Sequence, residues 1–206
     1  MYTLYSMQNS GNCYKLRLMM AQLGLIFNIR DIDVLAGETT GEDFLRLNPN
    51  GKVPVLVLDD GRTITESGAA LFYLAKGSPW LPKGRYKQAQ ILQWMFFEQY
   101  SHEPYIAVAR FWLSLCPGGR EKKAAEIPLW LERGHKALAV MEQHLLTHDF
   151  FAANRYTIAD IALYAYTHMA HEGDFDLSAY PAINDWLERV RSQPGHVPIE
   201  WRPDNG

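Results

Sequence analysis

Three small groups of residues in the first third of the chain have types and spacing that could do chemistry. Residues 9–16 read Asn-Ser-Gly-Asn-Cys-Tyr-Lys-Leu, just after the apolar run Met-Tyr-Thr-Leu-Tyr-Ser-Met. Ser10, Asn12 and Cys13 thus stand where a strand gives way to a helix. A hydroxyl or an amide there commonly caps the helix. The same groups, with the N–H groups of the first turn, also suit an anion. The second group is Val53-Pro54 at the opening of a strand, one of the few sheet positions that tolerates proline. The third is Glu66-Ser67 at the start of another helix, where negative charge is again favoured. One ligand using all three would carry a thiolate at one end and a carboxylate at the other. Its backbone-like middle would pair with a strand edge.

The elements that must position these groups alternate in type. Tyr2 to Met7 reads as a strand. Leu16, Met19, Met20 and Leu23 repeat at helical spacing until Gly24 stops them. Residues 27–34 read as a second strand, and a short helix breaks at Asn48-Pro49. Residues 53–58 and 62–65 flank Asp59-Asp60-Gly61, a tight-hairpin signal. Residues 66–76 form an apolar helix. The order β-α-β-α-β-β-α predicts a small α/β domain over 1–77. Residues 78–84, rich in Pro and Gly, read as a linker. Over 85–206 only helical periodicity is found. Ile91, Trp94 and Met95 mark one helix, and Leu131, Leu138, Met141 and Leu145 mark another that Pro128 begins or kinks. Thr157-Ile-Ala-Asp160 opens a third as a capping box with Asp for the usual Glu, and Tyr156 and Ile161 are spaced to form a hydrophobic staple. Ile183, Trp186, Leu187 and Val190 mark the last.

A chain of 206 residues with 48% hydrophobic and 21% charged residues reads as globular. A net charge of −3 argues against nucleic-acid or anionic-membrane partners. No apolar run approaches the roughly 20 residues that span a bilayer, and no signal peptide is visible. Two cysteines are too few for a disulfide framework, so cytoplasm is expected. Ser10-Gly-Asn-Cys13 looks like a Cys-x-x-Cys redox motif whose first cysteine is serine. Cys13 is read as an apolar filler of the first helical turn, with mixed-disulfide chemistry as the alternative. His144/His148 and His168/His171 have helical ligand spacing but lack a third ligand, so no metal site is expected. Asp160 reads as a structural cap.

The chain resembles the cytosolic glutathione transferases. The likeness lies in LNPNGKVPVLVLDDG and ITESGAALFYLA in the first half, and in YTIADIALYAY and YPAINDWLERV in the second. Ser10 in SGNCYK is similar to the serine of the zeta and theta classes. Asn12 resembles the Nu class, whose Thr–Asn pair fills the same two places, and a bacterial serine-type member is therefore suggested. The resemblance implies a thioredoxin-like N-terminal domain followed by an all-α domain forming a second-substrate pocket. It also implies glutathione as co-substrate, no metal, a small hydrophobic electrophile as second substrate, and a homodimer.

Residue by residue, Ser10 matches the catalytic hydroxyl and Asn12 a second donor to sulfur. Val53, before a family cis-proline at Pro54, would pair with the cysteinyl part of glutathione. Glu66 and Ser67 would grip its γ-glutamyl end. Thr39 falls where several classes place His or Gln near the glycine carboxylate, and Lys52 is the cation that could replace it. Tyr105, Arg110 and Phe111 are expected to line the second-substrate pocket, with Trp201 as its cover. A free thiol with a pKa of about 8.5 is mostly protonated at neutral pH, and only the thiolate attacks well. Ser10 therefore has to donate a hydrogen bond rather than ionise. Two other readings share the motifs: a glutathione-dependent disulfide-bond oxidoreductase or peroxidase, and a non-enzymatic binding or assembly module.

Overall fold

A computed structural model describes residues 1–203. The chain forms two compact units, one made of Met1–Lys76 with the segment from Pro194 onward, the other of Gly77–Gln193. The first unit holds strand β1 (Tyr2–Ser6), helix α1 (Gly11–Gln22), β2 (Phe27–Asp31), a 3-10 turn (Glu38–Thr40), α2 (Glu42–Leu47), β3 (Val55–Val57), β4 (Thr63–Ile64) and α3 (Ser67–Leu74). This is the expected β-α-β-α-β-β-α order. The sheet runs β2-β1-β3-β4. β2 lies parallel to β1, while β3 is antiparallel to β1 with Tyr5 opposite Val55. β2, β3 and β4 are each shorter than the spans 27–34, 53–58 and 62–65 that the pattern suggests. Gly24 and Gly61 adopt φ of 64° and 85°, which explains the helix stop and the tight hairpin, since a side chain resists that conformation.

Among the elements of the first unit, α1 contributes the largest share of the core. Leu16, Leu18, Met19 and Met20 are fully buried, and so are two cations, Lys15 and Arg17. The single apolar face read from the sequence is therefore only part of what this helix buries.

The second unit is helical: α4 (Arg85–Phe97), a π-helical segment (Glu98–His102), α5 (Glu103–Arg110), a second π segment (Phe111–Leu115), α6 (Gly119–Lys122), α7 (Ile127–Leu145), α8 (Ile158–Thr167), a 3-10 turn (Ala170–Gly173) and α9 (Pro181–Arg191). Pro128 lies in the first turn of α7, where its missing N–H costs no bond. Leu138, Met141 and Leu145 on α7, and Ile183, Trp186, Leu187 and Val190 on α9, are buried as their spacing predicts.

The tail departs from expectation. The periodicity places 85–206 in one helical domain, but from Pro194 the chain packs on the first unit; residues 204–206 lie outside the described residues. Tyr14 donates to the Val197 carbonyl at 2.7 Å, and the Arg202 guanidinium pairs with Asp31 at 2.7 Å. Trp201 sits against Phe27, ring centroids 6.3 Å apart.

Candidate active site

The site is built at one end of the first unit. Ser10 caps α1 in an extended conformation, and its Oγ accepts from the Cys13 N–H at 3.3 Å. A hydroxyl has one proton to give and two lone pairs. Ser10 is half-buried, and its O–H is a donor separate from the lone pair that holds the helix. Cys13 lies beneath, fully buried, with the Met7 N–H donating to its Sγ at 3.4 Å. Burial pushes its thiol pKa up, against the lowering effect of hydrogen bonds from Ser10, Met7 and Ser6. A buried thiol held protonated is a poor nucleophile, and the filler reading fits it.

Asn12 joins two helix starts. Its Oδ1 accepts from Lys15 Nζ at 2.7 Å and from Ser67 Oγ at 3.2 Å. Ser67 is the first residue of α3, is 5% exposed, and follows the exposed Glu66 N-cap. No side chain caps α3. Its first internal bond runs from the Ala70 N–H to the Glu66 carbonyl at 2.9 Å, so the preceding N–H groups and the helix dipole favour an anion.

Val53 precedes Pro54 through a cis peptide bond. Among the described residues, neither the N–H nor the carbonyl of Val53 has a hydrogen-bond partner, leaving a backbone edge beside β3. Asn48 shapes the loop ahead of it: its Nδ2 donates to the Lys52 carbonyl at 2.7 Å, and its Oδ1 accepts from the Asn50 N–H at 3.0 Å. The Lys52 side chain is exposed. Thr39 is 5% exposed and has Gly51 close to its backbone carbonyl.

The three residues expected to line a second-substrate pocket, Tyr105, Arg110 and Phe111, have different surroundings. Tyr105 faces a cleft of about 550 Å³ with Phe97, Tyr100, Arg133 and Val140. Arg110 is 4% exposed, with its Nε 2.9 Å from Glu172. Phe111, in the second π segment, stands edge-on to Trp112. Five residues of helix put Tyr105 and Arg110 on different faces, and Arg110 is held in an ion pair. Among the described residues no group of three or more His, Cys, Asp or Glu could hold a metal ion. His148 stacks on His144, and His168 bonds the Tyr164 carbonyl.

Sequence reasoning missed Lys15, Arg17 and Gln8. Arg17 donates to Ser6 Oγ at 3.0 Å, to the Gln8 carbonyl at 2.7 Å and to the Ile199 carbonyl at 2.9 Å, and Gln8 Nε2 donates to Ile199 at 2.6 Å. The loop that carries Ser10 is thereby tied to the tail. The only signal in the sequence was two cations inside an otherwise apolar helix.

Family models agree with this architecture. The glutathione S-transferase N-terminal domain matches residues 1–76 and the C-terminal domain residues 91–194. The chain belongs to the glutathione S-transferase family. It is similar to the disulfide-bond oxidoreductase YfcG of Escherichia coli, at 29% identity over 89% of this chain and 87% of that one. It is also similar to the crystal structure of a glutathione S-transferase from Pseudomonas fluorescens, at 52% identity and a TM-score of 0.93 over 96% and 98% of the two chains. A structure of Ure2p in complex with glutathione matches at 25% identity and a TM-score of 0.84, covering 94% of this chain and 95% of that one. No helix of the described residues is long and apolar enough to cross a membrane.

Proposed function

We propose that the site binds glutathione and that the protein is a glutathione transferase of the serine type, conjugating the thiolate to a small hydrophobic electrophile. The observation that carries this is the 3.2 Å bond between Asn12 and Ser67. It places the start of α1, suited to a sulfur anion, beside the start of α3, suited to a carboxylate. Ser10 would donate to the sulfur and Asn12 would be the second donor. The γ-glutamyl carboxylate would lie at Ser67, with Glu66 facing the α-ammonium. Val53 would pair its backbone with the cysteinyl unit, and Lys52 would meet the glycine carboxylate. The thiolate then forms the S–C bond while a halide leaves, an epoxide C–O bond opens to an alkoxide, or the C=C π pair of an enone moves onto its carbonyl oxygen as an enolate, and a proton from water completes the last two. Tyr105 and Phe111 remain the candidates for second-substrate contacts. A cytoplasmic homodimer completes the proposal.

A second reading, a glutathione-dependent disulfide-bond oxidoreductase, is favoured by the likeness to YfcG. Calorimetric titration with glutathione, followed by parallel assays of aryl-halide conjugation and disulfide exchange, tests both. Conjugation dominating supports the transferase, and exchange dominating supports the oxidoreductase. No binding at ~1 mM, an affinity weaker than about −4 kcal/mol, would leave a binding or assembly module.

A further inference from the structure

We propose that Lys15 is a positioning residue for Asn12, its buried ammonium fixing the side-chain oxygen so that the amide N–H edge is the one offered to a bound thiolate. This rests on the reading of Asn12 as a donor to the glutathione sulfur.

An asparagine amide has an acceptor end and a donor end of nearly the same shape, and only its partners decide which way it points. Toward a thiolate the two orientations have opposite signs. The N–H edge stabilises the anion, and the carbonyl edge repels it. Lys15 decides between them, because an ammonium donates and never accepts. The Asn12 atom 2.7 Å from Nζ is therefore the oxygen.

Ser67 cannot make that choice alone. Its hydroxyl, 3.2 Å from the same oxygen, can donate or accept and would satisfy either end of the amide. A carboxylate arriving at the start of α3 would also draw the Ser67 O–H toward itself. Lys15 would then be a hold on the Asn12 oxygen that persists once the ligand is in place.

Packing does not account for a lysine here. Lys15 has no exposed surface, and burying an ammonium is costly unless it is hydrogen-bonded. Of the neighbouring α1 positions with the same burial, Leu16, Leu18 and Met19 are apolar, and the other cation, Arg17, has acceptors of its own in Ser6, Gln8 and Ile199. The spacing does account for it. Three residues after Asn12 on one helix, the two side chains lie on the same face.

The test is the ultraviolet titration of the bound thiolate in Lys15→Met, Asn12→Ala and the double variant. Lys15→Met is expected to raise the apparent thiol pKa by about one unit and slow conjugation about tenfold at neutral pH, with a smaller change in glutathione affinity. Asn12→Ala is expected to do the same, and Lys15→Met to add nothing in the Asn12→Ala background. Where Lys15→Met does not fold, Lys15→Arg is expected to keep the wild-type titration and Lys15→Gln to raise it. A Lys15→Met shift that persists in full without Asn12 overturns the proposal. So does an unchanged titration in Lys15→Met beside a raised one in Asn12→Ala. An Asn12→Ala variant with a wild-type titration overturns the reading of Asn12 itself, and the silent single variant tells that failure apart.

Discussion

The Ser10 hydroxyl both ends a helix and faces a site, and the two roles use different parts of one group. Its lone pair holds the Cys13 N–H, and its proton is the one that can stabilise a sulfur anion. Ser10→Ala removes both. A hydrogen bond to a charged group is worth about 1.5–3 kcal/mol, so the bound thiol pKa is expected to rise by about one to two units. Ultraviolet titration should show this while calorimetry finds glutathione affinity largely retained. An unchanged titration would assign the donor role to Asn12 alone. Cys13→Ala makes the complementary case. The thiol is fully buried and pushed toward its protonated form, so conjugation and disulfide exchange should both survive the substitution, with a loss of thermal stability as the main effect. Loss of exchange alone would give Cys13 a redox role.

At the scale of elements, the start of α8 is held by a cluster of hydrogen bonds. Thr157 and Asp160 form a reciprocal capping box. The Asp160 carboxylate also accepts from the Phe151 N–H at 3.1 Å and the Trp186 indole N–H at 3.0 Å, fixing α8 against the preceding loop and α9. Asp160→Asn presents an N–H2 where these donors expect an acceptor. It should cost about 2–4 kcal/mol, readable in denaturant unfolding.

Its pH dependence has a definite sign. Burial raises the Asp160 pKa to about 6 against the lowering effect of its donors. Between the unfolded value near 3.8 and about 6, the folded state holds a proton that the unfolded state has released. Stability from this group is therefore full below the unfolded value and lost as pH rises through 6. The stability gap between wild type and Asp160→Asn should widen on acidification from pH 7.5 to 5, and a gap that narrows would place the carboxylate's pKa below its unfolded value. On α7, Gly134 has no room for a side chain, since a Cβ there would stand 2.3 Å from the Phe175 ring. Gly134→Ala should lower the melting temperature, and Phe175→Leu should recover part of the loss.

At the scale of the whole molecule, the tail closes on the unit that begins the chain. Arg17 and Gln8 converge on the Ile199 carbonyl, so the last described segment braces the loop leading to Ser10. A chain ended after Gln193 leaves the buried Arg17 short of an acceptor and uncovers Phe27. The expected cost is at least about 2 kcal/mol, or about 5 °C in melting temperature. Limited proteolysis should then cut first within residues 7–10. Cleavage elsewhere, with that loop still protected, would show that the tail does not brace it.

The order of elements in both units was legible in the amino-acid sequence because local physics sets it. Apolar residues at Leu138, Met141 and Leu145 repeat with the helical turn, Gly24 and Gly61 fit only backbone turns, and Thr157 to Asp160 form a cap from residues three apart. The candidate groups Ser10, Val53-Pro54 and Glu66-Ser67 were legible for the same reason, since each marks the start of a helix or strand. Bonds between distant residues were not. Lys15 and Arg17 read as ordinary surface cations until the fold buried them. Arg110 looked available until Glu172 took it, and Trp201 acquired its neighbours only when the tail folded back. A side chain's partners across more than 50 residues depend on how the chain packs. The tertiary structure alone decided which cations were buried, which hydrogen bonds joined α1 to α3, and which residues the tail covered.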